Sequence, residues 1–341
     1  MRGSYDDGTV TVSDRGVDLV RYRAVTAAGE PHVDRLALPA DAGAPAGRNL
    51  VLAGAHDHPW HLGLFFAPNY VDGVDCWGGR PTEDSDRAWG RAVDRGHDFT
   101  VDGDPGHDLS DHGGRGHDPS DHGGRGHDRV TIEQTAEWRT DDELLLDDER
   151  TVTVDTSPDR GYLLVWDQSV TAPEPRTIEG TDLSAGRGSY GGFNIRFQRE
   201  MADGEVRLPR EDDPGPDGRD VDDSGGDDPD ADDPEDRTGP TGAYCDYTGR
   251  LDGRKGPRGS PWRAGATVFL DPETAAGQRW FVARGYPFVG PNLAWGDPLE
   301  LDAGETARWR WGVWVRSGRP DRAEIERVQE LFRSHGRGAG R

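Results

Sequence analysis

Three histidines fall within six residues, His56, His58 and His61, in the segment HDHPWHLGLFF. Imidazole changes its protonation near neutral pH and is also a common ligand for transition metals. An adjacent carboxylate can orient the ring and fix which nitrogen carries the proton. In an extended stretch His56 and His58 project to one face. Pro59 then forces a turn that lets His61 swing toward them. Two chemistries follow. In the first, His58 and His61 divide general acid and base work, with Asp57 or Asp75 orienting them, and no cofactor is expected. In the second, His56, His58 and His61 hold a divalent transition metal.

Other segments mix acids, aromatics and Arg in the way a sugar site does. Asp75-Cys76-Trp77 sets a carboxylate beside an indole face, and sugars stack C–H faces on Trp while their hydroxyls bond carboxylates. In Gly192-Phe193-Asn194-Ile195-Arg196 the period of two puts Asn194 and Arg196 on one face and Phe193 and Ile195 on the other. Tyr244-Cys245-Asp246-Tyr247-Thr248-Gly249-Arg250 repeats the mixture. Trp77, Arg196, Asp246 and Arg250 are therefore the candidate lining of a cleft for a carbohydrate-type ligand. A core Trp is an equally good reading of Trp77.

These residues need strands to carry them. Short alternating runs occupy residues 9–38, and longer ones cover 130–138, 143–154, 162–171, 176–183, 266–270, 279–284 and 307–315, separated by turn residues. In the last run Trp309, Trp311, Val313 and Val315 share a face. One helix is predicted from about Arg322 to Arg333, with Asp321 and Glu324 at capping-box spacing and Ile325, Val328, Leu331 and Phe332 on one stripe. No βαβ alternation and no glycine-rich phosphate loop is present, which argues against nucleotide folds. The fold expected is all-β, a large antiparallel sandwich over residues 1–320, with a C-terminal helix at 321–334 packed on it and a tail at 335–341.

Two tracts interrupt the pattern. Residues 95–128 contain GHDLSDHGGR followed by GHDPSDHGGR and hold six of the eleven histidines. With no apolar anchor, this tract reads as a solvated loop grown by repetition rather than a metal site. Residues 211–238 are dominated by acids, with 14 acids and one Arg in 211–236, and read as a second disordered insertion.

The chain of 341 residues carries a net charge of −25, and Lys255 is its single lysine. Such a surface disfavours nucleic acid and anionic membranes, and an acidic excess almost without lysine points to a salt-loving host, the alternative being an acidic, GC-rich mesophile. Cys76 and Cys245 allow at most one disulfide, and neither sits in a CxxC motif. The first ten residues lack an apolar signal-like run, and no stretch approaches 18 apolar residues, so a cytoplasmic location is expected. Oligomeric state is not legible in these patterns.

Four stretches, DHPWHLGLFFAPNYVDGVDCWG, SYGGFNIRF, TGAYCDYTGRLDG and RWFVARGYPFVGPNLAWGDPLELDAGETARWRWGVWV, resemble in order the PmoA-like family of largely uncharacterised proteins. The likeness spans roughly residues 50 to 317 apart from the two insertions. Asp57, His58, Pro59, His61 and Gly63 fit the family's Asp-His-Pro-His-His-Arg-Gly pattern, whereas Trp60 and Leu62 depart from it. The resemblance implies a β-sandwich of the galactose-mutarotase type and a role near carbohydrate metabolism. It does not carry over a monooxygenase activity. The expected function is binding or transforming a carbohydrate-type small molecule by His/carboxylate chemistry, as an isomerase, hydrolase or lyase. The alternatives are a non-catalytic sugar-binding module and a metal-dependent oxygenase or hydrolase.

Overall fold

The computed structural model describes every residue except 26–29, 41–44, 78–87, 102–128, 159, 182–189, 210–240, 256–260 and 336–341. The alternating runs become strands of three antiparallel sheets. The first has eight strands in the order β1 (Arg2–Asp6), β2 (Thr9–Asp14), β3 (Val17–Arg23), β4 (His32–Leu36), β5 (Leu64–Ala67), β13 (Gly192–Arg196), β18 (Phe288–Asn292) and β17 (Arg279–Ala283). The second has eight in the order β14 (Glu205–Arg207), β15 (Tyr244–Lys255), β16 (Pro261–Leu270), β20 (Thr306–Ser317), β11 (Gly161–Thr171), β10 (Leu144–Asp155), β9 (Arg129–Arg139) and β8 (Arg91–Val101). A four-stranded sheet is ordered β19 (Leu299–Leu301), β12 (Arg176–Glu179), β6 (Tyr70–Val71) and β7 (Val74–Asp75).

The two large sheets pack face to face, because each presents every second side chain as apolar. Phe193 of β13 stacks on Trp311 of β20 at 4.7 Å between ring centroids, and Phe66 of β5 lies 5.9 Å from both Trp309 and Trp311. This is the face that the Trp309, Trp311, Val313 and Val315 alternation marks, and all four are buried. The interface also holds charge. Asp148, buried on β10, accepts hydrogen bonds from Trp138 Nε1 (2.8 Å), Arg150 Nε (3.0 Å) and Gln168 Nε2 (2.6 Å), so its desolvated oxygens are all partnered.

The opposite face of the second sheet is covered by α1 (Arg322–Ser334). Its Ile325, Val328 and Phe332 pack on Leu163, Val165, Phe269 and Trp314. The capping box forms as the spacing predicts: Asp321 accepts the Glu324 N–H and Glu324 accepts the Asp321 N–H. No helix among the described residues is long and apolar enough to cross a membrane.

Two expectations need correction or fall outside the described chain. The first RGHD copy of the repeat, Arg95-Gly96-His97-Asp98, is part of β8 rather than a loop. Buried Phe99 and the ladder to β9, which runs through His97↔Gln134 and Val101↔Val130, anchor it. The rest of that tract, residues 102–128, and the acidic insertion at 211–238 lie outside the described residues.

Candidate functional site

The histidine segment is a strap closed on itself. Ala53 and Leu62 form an antiparallel bridge, and the Gly54 N–H donates to the His61 carbonyl (2.8 Å). Inside it, the His61 N–H donates to the His58 carbonyl (2.9 Å), closing a turn whose second residue is Pro59, the position that a fixed φ favours. That turn sets His58 and His61 on one side, with rings stacked at 4.6 Å and 12°. The strap leaves through Gly63 at φ +88°, where a Cβ would stand 2.4 Å from the Val33 carbonyl oxygen, so only glycine fits.

Beneath the strap lies the face of the first sheet turned away from the second. Phe193 and Ile195 point into the core, so Asn194 and Arg196 point to the strap, as the alternation predicts. Arg196 is 1% exposed. Its Nη2 donates to Asp57 Oδ2 (3.0 Å), its Nη1 to the Tyr286 carbonyl (2.9 Å), and its guanidinium carbon sits 4.9 Å from the Tyr286 ring centre. Arg199, which opens a 3-10 turn (Arg199–Met201), donates through Nη2 to Asp57 Oδ1 (2.7 Å) and also contacts His56 Nδ1. Both oxygens of Asp57 are thus held by arginines.

The His58, His61 and Tyr286 rings form a three-cornered cluster with near-parallel planes, His58 lying 4.6 Å from His61 and 5.2 Å from Tyr286, and His61 6.2 Å from Tyr286. Trp60 meets the edge of His58 at 5.5 Å. Below, His61 rests on Phe288 (4.7 Å) and near Trp77 (6.1 Å), and Trp77 in turn stacks on Tyr190 at 5.9 Å. The His58 side chain remains 34% exposed, whereas His61 is 5% exposed. His58 Nδ1 is 3.3 Å from Asp57 Oδ2, within ion-pair range, though no hydrogen bond forms there.

The charges follow from these contacts. Burial acts to raise the Asp57 carboxyl, but its own backbone N–H, His58, Arg196 and Arg199 together outweigh it and hold it at about 2. Burial pushes the His61 imidazole down to about 3, with His58 and Arg196 adding to the effect, so His61 is neutral near pH 7. Burial raises the Tyr286 phenol to about 12. The shelf therefore presents an ionised carboxylate, a neutral buried imidazole, a partly open imidazole and a protonated phenol.

The strap and sheet bring together Asp57, His58, His61, Trp77 and Arg196, but not the other candidates. Asp75 Oδ1 accepts the Trp77 backbone N–H (2.9 Å), and neither His58 nor His61 bonds to it, so it does not orient them. Asp246 and Arg250 do not line the shelf. Their neighbour Tyr247 points into the core, which turns them to the α1 side of the second sheet. There Asp246 is buried in an ion pair with Arg316 and accepts from Thr267 (2.6 Å), and Arg250 is exposed. His56, Nδ1 against Arg199 and 81% exposed, does not converge with the other two histidines. Parallel stacking also leaves the in-plane lone pairs of His58 and His61 side by side rather than aimed at one point. Among the described residues no three His, Cys, Asp or Glu side chains are grouped as a metal site.

Arg199 lies outside the quoted motifs, and Tyr190 and Tyr286 fall inside two of them, SYGGFNIRF and RWFVARGYPFVGPN, without being singled out there as site residues. Tyr286 lies in a turn, and only its neighbour Pro287 and the aromatic run around Phe288 hint at a fixed position. Two surface hollows lie elsewhere, one at Trp314, Glu324 and Leu331, the other at Arg176, Leu301 and Glu305.

Residues 9–330 match a family of unknown function, DUF6807. No curated protein matches the sequence. Among solved structures, a polysaccharide lyase aligns with a TM-score of 0.34 at 12% identity, over 92% of this chain and 34% of that one. A protein assigned as an aldose 1-epimerase from Klebsiella pneumoniae subsp. pneumoniae aligns with a TM-score of 0.29 at 10% identity, over 62% of this chain and 56% of that one. This chain thus aligns with about a third of the lyase and just over half of the epimerase. At these scores neither likeness enters the reading of the site.

Proposed function

We propose, for a chain that belongs to the DUF6807 family, that the shelf on the first sheet binds a carbohydrate-type small molecule and that His58 moves a proton on it. The observation that carries the reading is the His58 ring itself. It packs against both His61 and Tyr286, keeps part of its side chain open to solvent, and has Nδ1 beside an ionised carboxylate. Such a carboxylate favours the proton on Nδ1, which leaves Nε2 as the acceptor toward a ligand. Tyr286, protonated at neutral pH, is the nearby donor. Trp60, half-buried and edge-on to His58, is an indole of the sort a sugar ring stacks on. In this arrangement Asp57 is a fixed counter-charge that orients His58, and His61 is a platform rather than a titrating partner.

A kinship with the PmoA-like proteins belongs to the same proposal. Four of the five matching residues, Asp57, His58, Pro59 and His61, build the turn and its counter-charge, and Gly63 makes the close exit. Trp60, where that pattern has histidine, meets the edge of the His58 ring.

The test is a panel of mono- and disaccharides followed by tryptophan fluorescence and by product analysis. A sugar that binds should perturb the indole signal of Trp60. With that sugar, His58→Gln should lose turnover by about a hundredfold or more, the scale of a lost general base, and change affinity far less. If no sugar in the panel binds, the reading fails. If His58→Gln turns over at the wild-type rate, proton transfer by His58 fails. Binding without turnover in the wild type would identify a binding module.

A further inference from the structure

Asp57 is one negative charge held between two guanidinium groups, which leaves one positive charge in excess beside the stacked rings. This excess sits on a chain whose net charge is −25. Nearby Glu200 does not cancel it, because both its oxygens take Arg48. Arg196 is spent in the fold: it is 1% exposed and ties the strap to Tyr286. Arg199 is different. Its side chain is 52% exposed, and only Nη2 has partners among the described residues, so its other nitrogens face solvent beside the shelf. A guanidinium with free N–H groups matches a carboxylate in two-pronged geometry.

We propose that the ligand of this shelf carries a carboxylate, as uronic and aldonic acids do, and that Arg199 reads that group while the sugar ring lies against His58 and Tyr286. The inference rests on the carbohydrate reading of the shelf. The probes are D-glucuronate and D-galacturonate, their methyl esters, which keep the ring and lose the charge, and the parent neutral sugars. Binding is followed by calorimetry at low and high salt. At least one acid should bind about tenfold or more tightly than its ester, the scale of a charge-assisted hydrogen-bond pair. The preference should shrink as salt rises. Arg199→Gln should bring acid and ester to within about twofold of one another, and Arg199→Lys should restore part of the gap. An ester that binds as well as its acid overturns the inference and leaves the sugar reading standing. A preference that survives in Arg199→Gln overturns the role of Arg199. If neither acids, esters nor neutral sugars bind, the sugar reading falls and takes this inference with it.

Discussion

Glu30 should make the fold lose stability as pH rises through neutrality. Its side chain is buried, with 5% exposure, just ahead of β4. Burial is the main force raising its carboxyl from an ordinary 4.5 to about 8, the charge of Asp75 adds to it, and a hydrogen bond from its own backbone opposes both. The folded-state value lies above the unfolded one, so the folded state holds the proton longer. The stabilisation is complete below pH 4.5 and drains away as pH climbs to about 8. At about 1.4 kcal/mol per pH step, the gap corresponds to a loss on the order of 5 kcal/mol by pH 9, roughly half of it between pH 5 and 7. Glu30→Gln keeps the shape and removes the titration. Urea midpoints of the two proteins, measured from pH 5 to 9 at constant high salt, isolate this group from the repulsion of the other carboxylates. The variant should gain about 2–3 kcal/mol on the wild type between pH 5 and 7 and more by pH 9. Asp75→Asn should narrow that divergence. A wild-type-to-variant difference that stays flat across the series would refute the argument that Glu30 is protonated in the folded state.

Three further outcomes follow from the geometry. Asp57, held at about 2 against an ordinary 3.8, stabilises the strap above pH 4 and loses that effect as pH falls toward 2. Asp57→Asn should therefore cost about 1 kcal/mol at neutral pH, a figure reduced for partial exposure, and should flatten the acid limb of a thermal melt against pH. Gly290→Ala would place a Cβ 2.0 Å from Asn194 Oδ1 and 2.7 Å from the Phe193 carbonyl oxygen. It should lower stability by about 1–3 kcal/mol in urea titration, with a larger loss if the backbone cannot shift. Asp246→Ala leaves the buried Arg316 charge unpaired and should cost about 3–5 kcal/mol, while ligand affinity at the shelf, on the other sheet, stays at the wild-type value.

The sequence carries most of the sandwich because its strands alternate. Trp309, Trp311, Val313 and Val315 name their buried face, and Asn194 and Arg196 name theirs. The turn at Pro59 is equally legible, since few conformations let a chain pass through His-Pro-Trp-His. Alternation fails where both faces of a strand are covered. Asp246 and Arg250 look like site residues because an acid, aromatics and Arg occur together, but local sequence does not say that α1 lies over that side. A buried ion pair in the second sheet reads the same as a cleft wall. Tyr286 and Arg199 were out of reach for another reason. They meet the histidines only through the pairing of β13 with β18 and β5, a long-range fact with no local period. The repeat hid the end of β8 because its composition masks Phe99 and Val101, which pair with Ile132 and Val130 of β9.

The ladder between β8 and β9 has a consequence for how this chain can change in length. Val101 lies directly opposite Val130, so the tract that joins them starts and finishes at neighbouring points of a finished hairpin. Its two ten-residue units, GHDLSDHGGR and GHDPSDHGGR, therefore add or leave as whole copies without moving any strand past another. Closing a loop of doubled length costs only about 0.6 kcal/mol more. The register of β8 on β9 is thus set by their own paired residues and does not depend on how many copies stand between Val101 and Val130.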